Sequence, residues 1–146
     1  MPKLRVFIVE DSPVIRENLI ATLEELLPLE VVACAEDEYS ALHWLHEHAH
    51  DCDLCIVDIF LKQGSGLAVL RALRDERRRP RCVVLSNYAT ADVCNWCLEL
   101  GADRVFDKSN QIDDLIGYCA LLADCGGGPL PAPLAPEDGS ASRATG

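Results

Sequence analysis

Polar side chains follow four short segments of the sequence that have the composition of β-strands. They are Glu10 and Asp11, Asp58, Ser86, and Lys108. The clearest of these segments is LCIV before Asp58, an apolar run typical of a strand buried on both faces of a parallel sheet. Ligands of an open parallel sheet bind just beyond the carboxyl ends of its strands. These side chains are therefore candidates for a functional site, although aspartate is also a common turn residue.

Phosphoryl transfer assisted by a divalent cation is the chemistry that this set favours. If the strands lie side by side, three carboxylates would repel one another unless a cation binds among them. Mg²⁺ is the cation expected, because it prefers hard oxygen ligands and uses few carboxylates. The Ser86 hydroxyl and the Lys108 ammonium would neutralise phosphoryl oxygens. Asp58 would then be the nucleophile that forms an aspartyl phosphate.

The elements that position these residues alternate between strand and helix five times. Strands are predicted over 3–10, 30–35, 54–58, 81–86 and 103–107. Helices are predicted over 13–27, 40–50, 67–78, 90–100 and 112–123. This alternation indicates an α/β fold with a parallel sheet, right-handed crossovers and helices on both faces.

Composition limits the classes of partner and location. The net charge is −11, which disfavours nucleic acid and anionic membrane, since both need clustered positive charge. No apolar run approaches the ~20 residues that span a bilayer, and the N-terminus lacks a signal peptide's apolar region. We therefore expect a cytoplasmic protein with one domain over 1–125. From Gly126 to Gly146 little apolar bulk remains, which predicts a disordered tail.

The sequence also contains two possible metal sites and the strand–helix alternation of a nucleotide-binding fold. The pairs Cys52/Cys55 and Cys94/Cys97 have the CxxC spacing of zinc half-sites, but the apolar context of Cys55 favours a buried hydrophobic role. His43, His46, His48 and His50 cluster on a predicted helix, where a solvated face is more common than a metal site. A nucleotide-binding fold is disfavoured because no glycine-rich phosphate loop follows the first strand.

The acidic pair after strand one, together with Asp58, Ser86 and Lys108 after strands three, four and five, resembles the response regulator receiver domain. The agreement in spacing and element order extends from about residue 3 to residue 123. The resemblance implies a flavodoxin-like, doubly wound (βα)5 fold with the strand order 2-1-3-4-5. We expect a stand-alone receiver that is not an enzyme, apart from catalysing its own phosphorylation and dephosphorylation.

The resemblance also implies the roles of individual residues. Mg²⁺ would be held by Asp11, Asp58 and the Phe60 carbonyl, with Glu10 acting through water. A sensor histidine kinase or a phosphotransfer protein would donate the phosphoryl group to Asp58. Ser86 and Lys108 would contact that group. The signal would leave through helix four, strand five and helix five, about 90–123, to a separate protein or a second copy in a homodimer.

Two positions depart from the family pattern. Ser109 follows Lys108 where the family usually has proline, and a trans peptide is expected there because a cis bond before a non-proline residue costs about 2.5–4 kcal/mol. Val105 occupies a position that is usually aromatic, and Phe106 should face the other side of the sheet. We therefore expect the conformational change that follows phosphorylation to depend more on the loop 87–89.

The alternative function is a receiver-fold interaction module that is not phosphorylated.

Overall fold

A computed structural model describes residues 3–75, 80–87 and 89–124. Its five strands form one parallel sheet with the order β2-β1-β3-β4-β5, which confirms the predicted flavodoxin-like topology. The strands are β1 (Leu4–Val9), β2 (Leu29–Ala35), β3 (Leu54–Val57), β4 (Arg81–Ser86) and β5 (Arg104–Asp107). The central strand β3 is buried along its whole length, as its apolar run predicted.

Five helices connect the strands and cover both faces of the sheet. They are α1 (Pro13–Leu26), α2 (Glu38–His48), α3 (Gly66–Arg74), α4 (Ala91–Glu99) and α5 (Ile112–Asp124). The buried side chains of α2, α3 and α4 pack on one face, and those of α1 and α5 pack on the other. None of these helices, in the part of the chain that the structure describes, is long and apolar enough to cross a bilayer.

Helix starts follow side-chain caps. Ser12 caps α1 by accepting a hydrogen bond from the backbone N–H of Ile15, with Pro13 at the first helical position as predicted. Helix α2 was predicted to start at Ser40, which is wrong by two residues. Asp37 is the cap, because its carboxylate accepts the N–H of Ser40 at 2.8 Å.

Two predicted helix ends are also too long. Helix α2 ends at His48, and Ala49–Asp51 forms a single 3₁₀ turn, which commonly tightens a helix terminus. Helix α3 was predicted to reach Arg78, but it ends at Arg74 with Asp75 as its C-cap. Residues 76–79, Tyr88 and the predicted tail from Gly126 lie outside the described residues.

Both predictions about strand five and the residues after it agree with the structure. The described residues contain no cis peptide bond, so the Lys108–Ser109 peptide is trans. Val105 packs against the core on the α2, α3 and α4 face, whereas Phe106 is fully buried in the core on the α1 and α5 face. Phe106 therefore does not take the place of the aromatic side chain that Val105 lacks.

Gly66, at the start of α3, lies against the strand that precedes it. A Cβ atom at this position would collide with the Asp58 carbonyl oxygen and the Ile59 Cα. Gly117 in α5 is a matched contrast, since a Cβ atom there would meet nothing within 4 Å. Close approach of the backbone thus requires a glycine at position 66, whereas position 117 has room for a side chain.

We expect Gly66→Ala to lower the free energy of unfolding by about 1–3 kcal/mol through steric overlap with the backbone of Asp58 and Ile59. Gly117→Ala should raise it by about 0.5–1 kcal/mol, because alanine loses less backbone entropy in a helix. Urea unfolding of both variants measures these two changes in the free energy of unfolding. A Gly66→Ala protein as stable as the Gly117→Ala protein would contradict this packing.

Candidate functional site

Backbone hydrogen bonds bring the carboxyl ends of the strands to one edge. The N–H of Asp58 donates to the Val9 carbonyl at 2.9 Å, which fixes the end of β3 beside β1. The N–H of Lys108 donates to the Ser86 carbonyl at 3.0 Å, which fixes the residue after β5 beside β4. The candidate side chains that the sequence places on four separate strands therefore converge.

A buried ammonium group links two of the carboxylates. The Nζ of Lys108 lies 2.6 Å from Oε1 of Glu10 and 2.9 Å from Oδ2 of Asp58. The side chains of Lys108, Glu10 and Asp58 are 9%, 4% and 8% exposed. Charge-assisted hydrogen bonds in such a setting are stronger than neutral ones. The repulsion expected among the carboxylates is thus partly offset by a cation of the chain itself.

The environment shifts the pKa values of this linked pair. Burial raises the pKa of the Glu10 carboxyl, and its hydrogen bonds with Lys108 and the Ser12 N–H offset only part of this shift. Burial alone would lower the pKa of Lys108, but the hydrogen bonds and charges of Glu10 and Asp58 outweigh burial and raise it. Lys108 is therefore an ammonium at neutral pH.

Asp11 completes the acidic cluster in a different way. Its Oδ2 accepts a hydrogen bond at 2.7 Å from the backbone N–H of Lys62, in the loop between β3 and α3. One oxygen from each of Glu10, Asp11 and Asp58 can be chosen so that all three lie within 4.8 Å of one another. An all-oxygen donor set with three carboxylates fits a hard divalent cation such as Mg²⁺.

Ser86 and Phe60 flank this cluster. Ser86 is fully buried at the end of β4, paired in register with Asp107, the residue before Lys108. The backbone N–H of Phe60 donates to Oδ1 of Asp58 at 3.1 Å, while half of the Phe60 side chain is exposed. The metal-binding role of the Phe60 carbonyl and the phosphoryl contact of Ser86 remain predictions.

Sequence reasoning missed Glu38. Its Oε1 accepts the N–H of Ser65 at 2.9 Å, and its own N–H donates to the Gln63 carbonyl at 3.2 Å. These residues are more than twenty positions apart, and they meet only because α2 and α3 lie side by side on the same face of the sheet. The sequence offers a single indirect signal, the glycine at position 64 in the loop that Glu38 contacts.

The cysteine and histidine clusters do not converge on a metal site in the described part of the chain. The sulfurs of Cys52 and Cys55 lie 3.8 Å apart in the buried core, and burial raises the pKa of Cys55 well above the ordinary thiol value. His50 belongs to the 3₁₀ turn rather than to α2, so the prediction that all four histidines lie on one helix is wrong for this residue. Over 3–75, 80–87 and 89–124, the acidic trio is the single group of three potential ligands that come together.

Comparisons with known proteins agree with this fold. The family model described as response regulator receiver domain matches residues 6–120. The chain is 34% identical over 125 residues to protein-glutamate methylesterase/protein-glutamine glutaminase 2 of Vibrio vulnificus, and the match covers 82% of this chain and 35% of that protein. The chain therefore spans about a third of the length of the curated relatives of this type.

Solved structures show the same architecture. The receiver domain of the response regulator NarL from Mycobacterium tuberculosis superposes with a TM-score of 0.74 at 24% identity, covering 88% of this chain and 100% of that one. A Burkholderia pseudomallei response regulator, solved with a phosphorylated aspartic acid, a calcium ion and citrate, gives a TM-score of 0.69 at 21% identity. That match covers 85% of this chain and 71% of the other.

The family match extends from β1 into α5 and includes every strand end that contributes to the acidic edge. Receiver domains of this family bind Mg²⁺ at an acidic pocket and are phosphorylated by histidine kinases or phosphotransfer proteins. The fold, the strand order and the cluster of Glu10, Asp11 and Asp58 agree with that assignment. This chain belongs to the response regulator receiver domain family of two-component signalling.

Proposed function

We propose that this chain accepts a phosphoryl group on Asp58 from a histidine kinase or a phosphotransfer protein, with Mg²⁺ bound. The observation that carries the proposal is the convergence of three carboxylates with a lysine that contacts Asp58 directly. The phosphorylated aspartate named for the Burkholderia pseudomallei relative supports the same chemistry. The proposal confines catalysis to the phosphorylation and dephosphorylation of the chain itself.

The residues that would hold Mg²⁺ are Asp11, Asp58 and the Phe60 carbonyl, with Glu10 acting through water. Bound there, the cation would neutralise charge on the phosphoryl oxygens during transfer. Asp11 is partly exposed beside the loop after β3, whereas Glu10 is buried and paired with Lys108. The difference in burial supports a direct role for Asp11 and an indirect one for Glu10.

The transfer itself needs a carboxylate nucleophile and a compensating cation. An Asp58 oxygen attacks phosphorus, and the bond from phosphorus to the donor's ring nitrogen breaks. The electron pair of that bond remains on the nitrogen, and because the other ring nitrogen of the phosphohistidine carries a proton, the donor is released as a neutral imidazole. The Nζ of Lys108 already lies 2.9 Å from Oδ2 of Asp58. It would stay close to the phosphoryl group as the negative charge of that group moves onto Asp58. Ser86, buried beside Lys108, is proposed as the hydroxyl contact.

We propose that the signal leaves through the surface formed by α4, β5 and α5. Lys108 directly follows β5, and its backbone N–H is tied to Ser86 at the end of β4. A shift of Lys108 toward a phosphoryl group would therefore act on both strands that border α4. Both helices of this surface carry exposed leucines, Leu98 on α4 and Leu121 on α5. These side chains suit a protein partner or a second copy of the chain.

Acetyl phosphate with Mg²⁺ should label the wild-type chain, and the added mass should map to Asp58. Asp58→Asn should abolish the labelling, because an amide is not a nucleophile. Intact-mass analysis followed by peptide mapping measures both results. Removal of Mg²⁺ with EDTA should also stop the labelling.

Asp114→Asn, an exposed carboxylate of α5, is the matched control and should label like the wild type. A chain that ends at Cys125 should also label normally if the domain boundary is correct. Labelling of Asp58→Asn at the wild-type rate would show that the phosphoacceptor is elsewhere. Absence of labelling in the wild type with both small donors and kinases would favour the interaction module that is not phosphorylated.

Lys108→Met should destabilise the metal-free chain by roughly 3 kcal/mol, because it leaves Glu10 and Asp58 buried without their cation. The stabilisation by Lys108 is present below the ordinary lysine pKa of 10.5 and is lost as the pH rises through its raised folded value. Added Mg²⁺ should raise the melting temperature of both proteins, and it should raise that of Lys108→Met more. Calorimetric melts with and without Mg²⁺ at neutral pH test this.

Lys62→Met is the control, since Lys62 is exposed on the loop beside the site and should change the metal-free stability little. Asp11→Ala should weaken the response of the melting temperature to Mg²⁺ in the otherwise unchanged chain. Equal metal-free stability for the Lys108 and Lys62 variants would contradict the charge balance described here. A melting temperature that does not change when millimolar Mg²⁺ is added would contradict the metal site.

Amide exchange should report the output surface. Addition of beryllium fluoride, which mimics a phosphoryl group, should change exchange rates within 87–123 as well as around Asp58. The reason is the backbone link between Lys108 and the end of β4. Asp58→Asn under the same conditions supplies the unresponsive control. Changes limited to the residues next to Asp58 would exclude the proposed route.

A further inference from the structure

We propose that Glu38 is a positioning residue for the metal site, although it contributes no ligand. It acts through the segment 59–65 between β3 and α3, called the β3–α3 loop below. The inference rests on the proposed function, because the group being positioned is the set that would hold Mg²⁺. Glu38 lies at the first turn of α2, on an element that supplies none of the predicted site residues.

The β3–α3 loop is closed on itself near its base. Phe60 and Ser65 form an antiparallel bridge, and the N–H of Gly66 donates to the Ile59 carbonyl at 2.9 Å. The position of Ser65 therefore sets the position of the Phe60 backbone. Phe60 is in turn tied to the site, since its N–H donates to Oδ1 of Asp58 at 3.1 Å.

Glu38 holds the far side of this loop at two points. Its carboxylate accepts the N–H of Ser65 at 2.9 Å, and its backbone N–H donates to the Gln63 carbonyl at 3.2 Å. Gly64, between them, has a φ of +85° and lies so close that a Cβ atom would overlap the Glu38 side chain. The side chain of Glu38 thus covers the tip of the loop, and the carboxylate and the backbone N–H of Glu38 each fix one of the loop's peptide groups.

The near side of the loop contacts a predicted metal ligand. The N–H of Lys62 donates to Oδ2 of Asp11 at 2.7 Å, so the loop and Asp11 orient each other. Asp11 and the Phe60 carbonyl are both predicted to face the cation. With Glu38 on one side and Asp11 on the other, the peptide groups of 60–65 are held between α2 and the end of β1.

Loss of the Glu38 carboxylate would free the Ser65 N–H and release one side of this arrangement. Partners of metal ligands that lie outside the coordination sphere typically change metal affinity by 10–100-fold when they are removed. We expect an effect at the lower end of that range, since Glu38 acts on the loop rather than on a ligand directly. Because Glu38 lies outside the site, the metal-free fold should be retained.

Isothermal titration of the full chain with Mg²⁺ tests the proposal. Glu38→Ala should raise the dissociation constant by about tenfold. Glu38→Asp keeps the charge but shortens the reach, and it should raise the dissociation constant to a similar extent. Glu38→Gln keeps an oxygen at the same reach and should stay within about threefold of the wild type, because a neutral hydrogen bond is weaker but still made.

Glu36→Ala is the matched charge control. Glu36 is exposed beside Asp11 and two residues before Glu38, so its removal takes the same charge from the same edge. Its effect on the dissociation constant should be smaller than that of Glu38→Ala. Amide exchange within 60–66 should be faster in Glu38→Ala and unchanged in Glu36→Ala, which separates loop positioning from a general electrostatic effect.

The outcomes distinguish this inference from the proposed function. A wild-type chain that binds no Mg²⁺ would overturn both. Wild-type binding with unchanged affinity in a folded Glu38→Ala or Glu38→Asp protein would overturn the role of Glu38 alone. Equal losses in Glu38→Gln and Glu38→Ala would show that charge, and not the hydrogen bond to Ser65, matters, and this would also overturn the proposal.

Discussion

The contact of Lys108 with Glu10 and Asp58 is the interaction on which the functional edge depends. Two carboxylates at the ends of a buried sheet would be costly without a cation, since burial disfavours their charged forms. Lys108 supplies that cation at 2.6 and 2.9 Å from their oxygens. The same ammonium joins the end of β5 to the ends of β1 and β3. The contacts that balance the charges of the site therefore also hold these three strand ends together.

Burial divides the acidic cluster into two parts with different properties. Glu10 and Asp58 are almost fully buried and share Lys108, whereas Asp11 is partly exposed and accepts a hydrogen bond from the backbone N–H of Lys62. A cation entering from solvent would meet Asp11 first. The arrangement therefore combines a fixed internal counter-ion with a carboxylate that is held by a loop.

The β3–α3 loop connects the site to the rest of the fold. Gly66 allows α3 to begin directly against Asp58, where a Cβ atom would overlap the Asp58 carbonyl oxygen. The peptide groups of that loop bond to Asp58, Asp11 and Glu38, which follow β3, follow β1 and lie in the first turn of α2, respectively. A loop with so many fixed peptide groups can orient a ligand more precisely than a free one, which is why α2 can influence the site from outside it.

The sequence alone was sufficient to predict the fold and to select the candidate residues of the site. Apolar runs fixed the strands, and the polar residues after them identified Glu10, Asp11, Asp58, Ser86 and Lys108, because chemistry in parallel sheets lies at the strand ends. Alternation along β5 also placed Val105 and Phe106 on opposite faces. The succession of strands and helices and the alternation along β5 depend on neighbours in the chain, so local patterns are sufficient to predict them. The strand order was instead implied by the family resemblance. The tertiary structure decided which carboxylates pair with Lys108, that Asp11 bonds to a backbone N–H, and that Glu38 meets Ser65. These contacts join residues that are distant in the chain, and their geometry follows from how the helices pack on the sheet, which no local pattern encodes.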